Sequence, residues 1–72
     1  MRKIWVIYKN PTDFPTVPFV MRQHIMADGK VTPTDKTWQG STLASVRSLV
    51  PKGKTKMNRA EADERQIVEW WF

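Results

Sequence analysis

The chain has 72 residues, 12 Lys+Arg against 7 Asp+Glu, a formal net charge of +5 and no Cys. That size allows one domain with one small core. The lack of Cys removes disulfides, thiol nucleophiles and Cys-based zinc sites, so stability must come from packing, from association, or from both.

No apolar run approaches the roughly 20 residues that a membrane span needs. Met1-Arg2-Lys3 is followed by only five apolar residues, Ile4 to Tyr8, before Lys9. That is too short for a signal peptide, so a cytoplasmic protein without a membrane role is expected. The positive charge favours an anionic partner, either nucleic acid or an acidic protein surface.

Residues 2–8 are rich in β-branched and aromatic types and alternate as a strand does. Ile4, Val6 and Tyr8 share one face, and Lys3, Trp5 and Ile7 the other. Asn10-Pro11-Thr12-Asp13-Phe14-Pro15 ends this strand in a rigid loop. A second strand is expected over 17–26, with Pro18 at its start, where no ladder donor is needed. Phe19, Met21 and Ile25 fall on one of its faces, and Val20, Arg22, His24 and Met26 on the other. Asp28-Gly29 supplies the positive φ of a tight turn. Val31 and Thr32 begin a return strand that Pro33 makes short or places at an edge.

Residues 34–40 are polar apart from Trp38. A helix then follows, capped by Ser41 or Thr42 and running through Val50 to Pro51. Leu43, Val46, Leu49 and Val50 form its apolar stripe. Lys52 to Arg59 holds Lys52, Lys54, Lys56 and Arg59 and no acid. Two readings compete for the remainder. Asn58-Arg59-Ala60-Glu61 fits a capping box for a second helix. The alternative is a hairpin pairing Thr55–Arg59 with Gln66–Phe72, and the aromatic, β-branched ending Ile67-Val68-Glu69-Trp70-Trp71-Phe72 favours it.

The expected fold is α+β, one domain over residues 1–72. It is a ββαββ antiparallel sheet of four strands, or five with the short return strand, and one helix covers one face. Placing Glu69 in water sends Val68, Trp70 and Phe72 toward the helix. The core is then Ile4, Val6, Tyr8, Phe19, Met21, Val68, Trp70 and Phe72, closed by Leu43, Val46 and Val50. With Met57 inward, the open face carries Trp5, Ile7, Arg22, His24, Lys54, Lys56, Ile67 and Trp71.

Rings among cations on an open sheet suit single-stranded nucleic acid, whose bases stack while Lys and Arg neutralise phosphates. The candidate nucleic-acid or partner-binding residues are Trp5, Arg22, His24, Lys52, Lys54, Lys56 and Trp71. The same face equally suits the dry centre of a homodimer, a protein partner, or a site closed by the Phe14–Val17 loop or Trp38.

Nothing points to catalysis. His24 is the only histidine, and Ser41, Ser45 and Ser48 lack a nucleophile-elbow context. Glu61, Asp63 and Glu64 lack the calcium-loop pattern. Lys52-Gly53-Lys54-Thr55 ends as a phosphate loop does but lacks the upstream glycine and the following helix. No carboxylate pair is singled out, so no catalytic residue, metal, cofactor or small-molecule substrate is assigned.

The Asn10–Pro15 loop, the Phe19-Val20-Met21-Arg22 strand, the Thr42-Leu43…Val46-Arg47…Val50-Pro51 helix and the Ile67-Val68-Glu69-Trp70 ending carry a resemblance. The chain resembles small uncharacterised bacterial and phage proteins with an N-P-x-D-x-P loop and an I-V-E-x-W ending. The resemblance spans nearly the whole chain and transfers no catalytic or binding residue. It implies a bacterial, phage or mobile-element context, in which small basic proteins act by binding. The Lys52–Lys56 run and the doubled Trp70-Trp71 are not assumed to be shared. The function expected is that of a non-enzymatic nucleic-acid-binding protein, or else of a structural or inhibitory protein that dimerises or docks on a partner.

Overall fold

The computed structural model describes residues 2–61 and 63–72. Among these residues five strands form one antiparallel sheet: β1 (Arg2–Lys9), β2 (Phe19–Ala27), β3 (Lys30–Gly40), β4 (Lys56–Asn58) and β5 (Ile67–Trp71). One helix, α1 (Leu43–Arg47), lies between β3 and β4 in sequence. The spatial order is β3-β2-β1-β5-β4, so the most apolar strands, β1 and β5, lie inside and the polar ones at the edges. No helix among the described residues is long and apolar enough to cross a membrane.

The α+β class and the antiparallel sheet agree with expectation, but the element order is βββαββ. The return strand is neither short nor confined to Val31 and Thr32. It runs to Gly40 and carries Trp38 opposite Met21. A bulge makes this length compatible with Pro33. Arg22 pairs with Thr37 and His24 with Pro33, so Gln23 alone faces Thr34, Asp35 and Lys36. Thr34 donates its hydroxyl to the Gln23 carbonyl at 2.8 Å, replacing a ladder bond there. A bulged, charged edge with Pro also resists pairing with other chains. The β2–β3 turn is the expected Asp-Gly, with positive φ at Asp28 (53°) and Gly29 (75°).

The helix is shorter than the sequence suggests. Thr42 is its N-cap, in a reciprocal box with Ser45. It stops at Arg47, and Leu49 and Val50 continue as turns bonded to Val46 and Arg47. Leu49, expected in the apolar stripe, is 46% exposed, whereas Val46 is fully buried. Five residues cannot hold a helix alone, so packing sustains it. Gly40 makes that packing close. A Cβ there would meet Ser45 Oγ and lie 2.6 Å from Val46 Cγ1.

The β4–β5 hairpin forms, with Lys56 opposite Trp71, Met57 opposite Trp70 and Asn58 opposite Glu69. Thr55 and Phe72 exchange both backbone bonds just beyond it. No second helix forms among the described residues. The described residues of 59–66 make turns, with the Asp63 amide bonded to the Ala60 carbonyl and that of Ile67 to Glu64. Ala62, within that segment, lies outside the described residues.

The largest correction concerns which face the helix covers. Ile4, Val6 and Tyr8 do share one face of β1, but it is the face away from α1. The register pairs Ile7 with Met21 and Trp5 with Gln23 and Trp71. The helix-side core is therefore Trp5, Ile7, Met21 and Val46, with Phe19, Trp38, Leu43, Val50, Val68 and Trp71 against it. The opposite cluster is Ile4, Val6 and Ile67, with Tyr8, Met26, Trp70 and Phe72.

The assignment of Glu69 to water caused the inversion. Glu69 is 2% exposed, facing the helix side of the sheet. A second bulge finishes the pattern: Ile7 pairs with Glu69 but Tyr8 with Ile67, leaving Val68 extra. That slip lets Val68 and Glu69 share the helix side while Ile67 and Trp70 share the other, which strict alternation forbids.

Candidate functional site

The two faces of the sheet gather different chemistry, and the seven candidate residues divide between them. Trp5, Lys54, Lys56 and Trp71 lie on the helix side. Arg22 and His24 lie on the uncovered side, as expected, because they pair with Val6 and Ile4. Lys52 is exposed in the turn between α1 and β4. The single aromatic and basic face inferred from alternation therefore does not exist.

On the helix side, α1 covers the β2 and β3 half. The margin over β1, β5 and β4 is lined by the chain leading into β4. Lys54 Nζ sits 5.0 Å from the centre of the Trp5 ring. This cation–π contact covers an indole that is itself only 6% exposed, so Trp5 offers no open stacking surface. Trp71 is half-buried beside exposed Lys56. Lys3 shares the Trp5 face of β1 and is exposed.

Arg47, Glu69 and Trp71 form the polar hinge of this side. Arg47 donates to Glu69 through Nε at 3.0 Å and Nη2 at 2.6 Å, and the Trp71 indole donates to Oε2 at 2.7 Å. Burial pushes the Glu69 carboxyl up. The hydrogen bonds from Arg47 and Trp71, with the charges of Arg47 and Lys56, outweigh burial and hold it below 4.5. The Glu69 hydrogen bonds raise the Arg47 guanidinium in turn. Glu69 is ionised, yet it is sealed in and neutralised. Lys3, Lys54 and Lys56 consequently line a margin with no exposed acid of its own strands.

The uncovered side holds a cleft of about 630 Å³ whose lining includes Tyr8, Arg22, His24 and Trp70. His24 stacks on Tyr8, with ring centroids 6.4 Å apart, and meets Trp70 edge-on at 6.0 Å. Its Nδ1 lies 3.3 Å from the Arg22 carbonyl, and its Nε2 lies 3.3 Å from the Tyr8 hydroxyl. Nδ1–H donating to the carbonyl and Nε2 accepting from Tyr8 satisfy both nitrogens of a neutral ring. Burial lowers the His24 pKa below 6.5, and the Arg22 charge lowers it further against the opposing bond to the Arg22 carbonyl. Burial raises the Tyr8 phenol above 10.0, and Glu64 adds to that.

Loops form the walls of the cleft. Asp13, from the Asn10–Pro15 loop, holds Arg22 Nη2 at 2.9 Å, and Arg22 also donates to the Thr34 carbonyl. Opposite, Asp63 Oδ2 accepts from the Ala60 amide at 2.8 Å and the Trp70 indole at 3.0 Å. Those two bonds, in that order, hold the Asp63 carboxyl below 3.8. Arg59 donates to the Asp63 and Glu64 carbonyls and so fastens the loop from beneath. The loop reaches Trp70 on the uncovered side, where Asp63 and Glu64 line the cleft.

Tyr8, Trp70 and Asp63 belong to this site and were not singled out from sequence. Trp70 was expected in the core, and Asp63 as a solvated turn. No local signal links residues seven apart across a loop. The Glu69–Arg47 pair had one: a single Glu inside an apolar strand, and an Arg at the end of the helix that must cover a sheet. No family model matches the chain, and neither a curated protein nor a solved structure matches it.

Proposed function

We propose that this is a small non-enzymatic nucleic-acid-binding protein, of bacterial, phage or mobile-element origin, that holds phosphates on its lysine margin. The observation that carries the reading is the separation of charge. Lys3, Lys54 and Lys56 lie beside Trp5 and Trp71, exposed Lys52 precedes them in the turn that leads to Lys54, and the acid of these strands, Glu69, is buried and paired. Such a margin neutralises phosphates regardless of sequence. Stacking contributes less than an open aromatic face would allow, because Lys54 covers Trp5 and only Trp71 has an accessible edge.

The test is a tryptophan fluorescence titration with a mixed single-stranded oligonucleotide at several salt concentrations. Saturable binding is expected, with log K falling against log salt at a slope of about −2 if three phosphates are neutralised. Replacing Lys52, Lys54 and Lys56 together with Glu should abolish it. An absence of binding at low salt, or binding insensitive to that triple change, would overturn the proposal.

A second reading, self-association, is favoured by one observation. Met57 is 55% exposed and borders an apolar hollow of about 270 Å³ with Ile4, Met26, Trp70 and Phe72 among its lining. Sheet-to-sheet pairing of two copies would bury it. Sedimentation at micromolar concentration should then show a dimer that Met57→Asp splits, and a monomer would remove this reading.

A further inference from the structure

The charge of the cleft on the uncovered face is opposite to that of the chain. Its lining takes three of the chain's seven acidic residues, Asp13, Asp63 and Glu64, and only one of its twelve basic residues, Arg22. That one cation is spent. Asp13 and the Thr34 carbonyl hold its guanidinium. His24 adds no positive charge, because both its nitrogens are satisfied in the neutral form. Asp63 is ionised, and both its bonds fall on Oδ2, so Oδ1 has no hydrogen-bond partner among the described residues. Glu64 is exposed, and among the described residues no side chain pairs with it. The rings of Tyr8 and Trp70 line the same cleft.

We propose that this cleft binds a lysine- or arginine-bearing segment of a protein partner, its cationic head between Glu64 and Asp63 and its aliphatic stem along Tyr8 and Trp70. The chemistry is complementary at both ends. Ring faces attract a cation and accept its methylene stem, while carboxylates at the rim fix the head. A phosphate group would meet three carboxylates there, so nucleic acid belongs on the opposite face, and the two sites are independent. The open walls suit an extended segment crossing the sheet better than an enclosed small molecule.

The experiment is an NMR titration with an acetylated, amidated pentalysine peptide at low salt. It is run on monomeric protein, at a concentration at which sedimentation shows a single copy. The indole N–H of each tryptophan reports its own face. The Trp70 signal should shift saturably while that of Trp5 stays fixed, and pentaglutamate should move neither. Glu64→Lys should weaken the peptide roughly tenfold, since like charges now meet. An unshifted Trp70 indole signal in free Glu64→Lys certifies that the loop still holds Asp63. The triple lysine-to-glutamate variant of the opposite margin should keep Trp70 responsive, which separates this proposal from the nucleic-acid reading. No Trp70 shift at millimolar peptide, equal affinity in Glu64→Lys, or shifts confined to Trp5 and Trp71 would overturn it.

Discussion

Arg47 and Glu69, one ending the helix and the other inside β5, form a two-pronged ion pair with contacts of 3.0 and 2.6 Å. The Glu69 side chain is 2% exposed and that of Arg47 40%. The pair thus straddles the boundary between core and water. Its role is to let a charged residue occupy a central strand while drawing the helix end toward that strand. Truncating only the buried partner leaves the Trp71 indole without its acceptor. Glu69→Gln keeps the shape but loses the charge and puts an amide NH2 where one carboxylate oxygen accepted. At least one of the three donors from Arg47 and Trp71 then loses its acceptor, at an expected cost of about 1–3 kcal/mol. Urea unfolding measures it, and an unchanged midpoint would show that the pair is solvent-screened.

Acid should destabilise the protein in two separate windows. The folded-state pKa of His24 lies below its ordinary 6.5, so the unfolded chain binds the proton first. Stability is full above 6.5 and declines as pH falls from there toward the folded value. The carboxyl of Glu69 is also depressed, from 4.5, and its contribution is lost only as pH falls below that. Urea midpoints should drop between pH 7 and pH 5 in the wild type. His24→Gln should flatten that first decline and leave the second intact. An equal first decline in the variant would assign it to another group.

Gly40 is where β3 hands the chain to the helix, and space rather than backbone freedom requires glycine there. A methyl group would press on Val46 Cγ1 at 2.6 Å and on Ser45 Oγ, which is engaged in the capping box. Gly40→Ala should cost about 1–3 kcal/mol by overpacking. Gly29→Ala meets open space but a positive φ of 75°, so strain alone acts there. Denaturant midpoints of the two variants compare crowding with strain. A neutral Gly40→Ala would mean that α1 lifts freely from the sheet.

The strands β1, β2 and β5, the Asp-Gly turn, the Thr42 cap and the terminal hairpin were legible because each rests on local chemistry. The alternation of β1 and β2 was also read correctly. What alternation cannot supply is the side on which a short helix settles, and that choice reversed Trp5, Trp71, Lys54 and Lys56 against Tyr8, Trp70 and Phe72. Two bulges deepened the difficulty. Val68 added between Ile7 and Tyr8 breaks the two-residue period, so no single phase describes β5. The three residues facing Gln23 hide Thr34–Gly40 as polar loop when it is strand. Arg22 and His24 remained on the uncovered face because β2 has no bulge of its own between them and Val20. The partners of His24 came from strands and loops too distant in sequence to be paired by inspection.

Trp70 and Asp63 join β5 to the loop that walls the cleft, and this single bond makes a last prediction. Trp70→Phe keeps a ring beside His24 but removes the indole donor that lies 3.0 Å from Asp63 Oδ2. The Ala60 amide, at 2.8 Å, is then the remaining donor to that oxygen. Two consequences are expected. The Asp63 pKa should rise toward its ordinary 3.8, since one of the bonds stabilising the carboxylate is gone. The amides of Ala60 and Asp63, bonded within the same turn, should exchange faster with solvent, while those of β1 and β2 keep their protection. Carboxyl titration and hydrogen exchange by NMR read both effects in one sample. A higher Asp63 pKa with unchanged exchange would show that Arg59, through the Asp63 and Glu64 carbonyls, holds the loop without help from Trp70. Faster exchange at Ala60 and Asp63 would instead make the indole the clasp of the cleft wall.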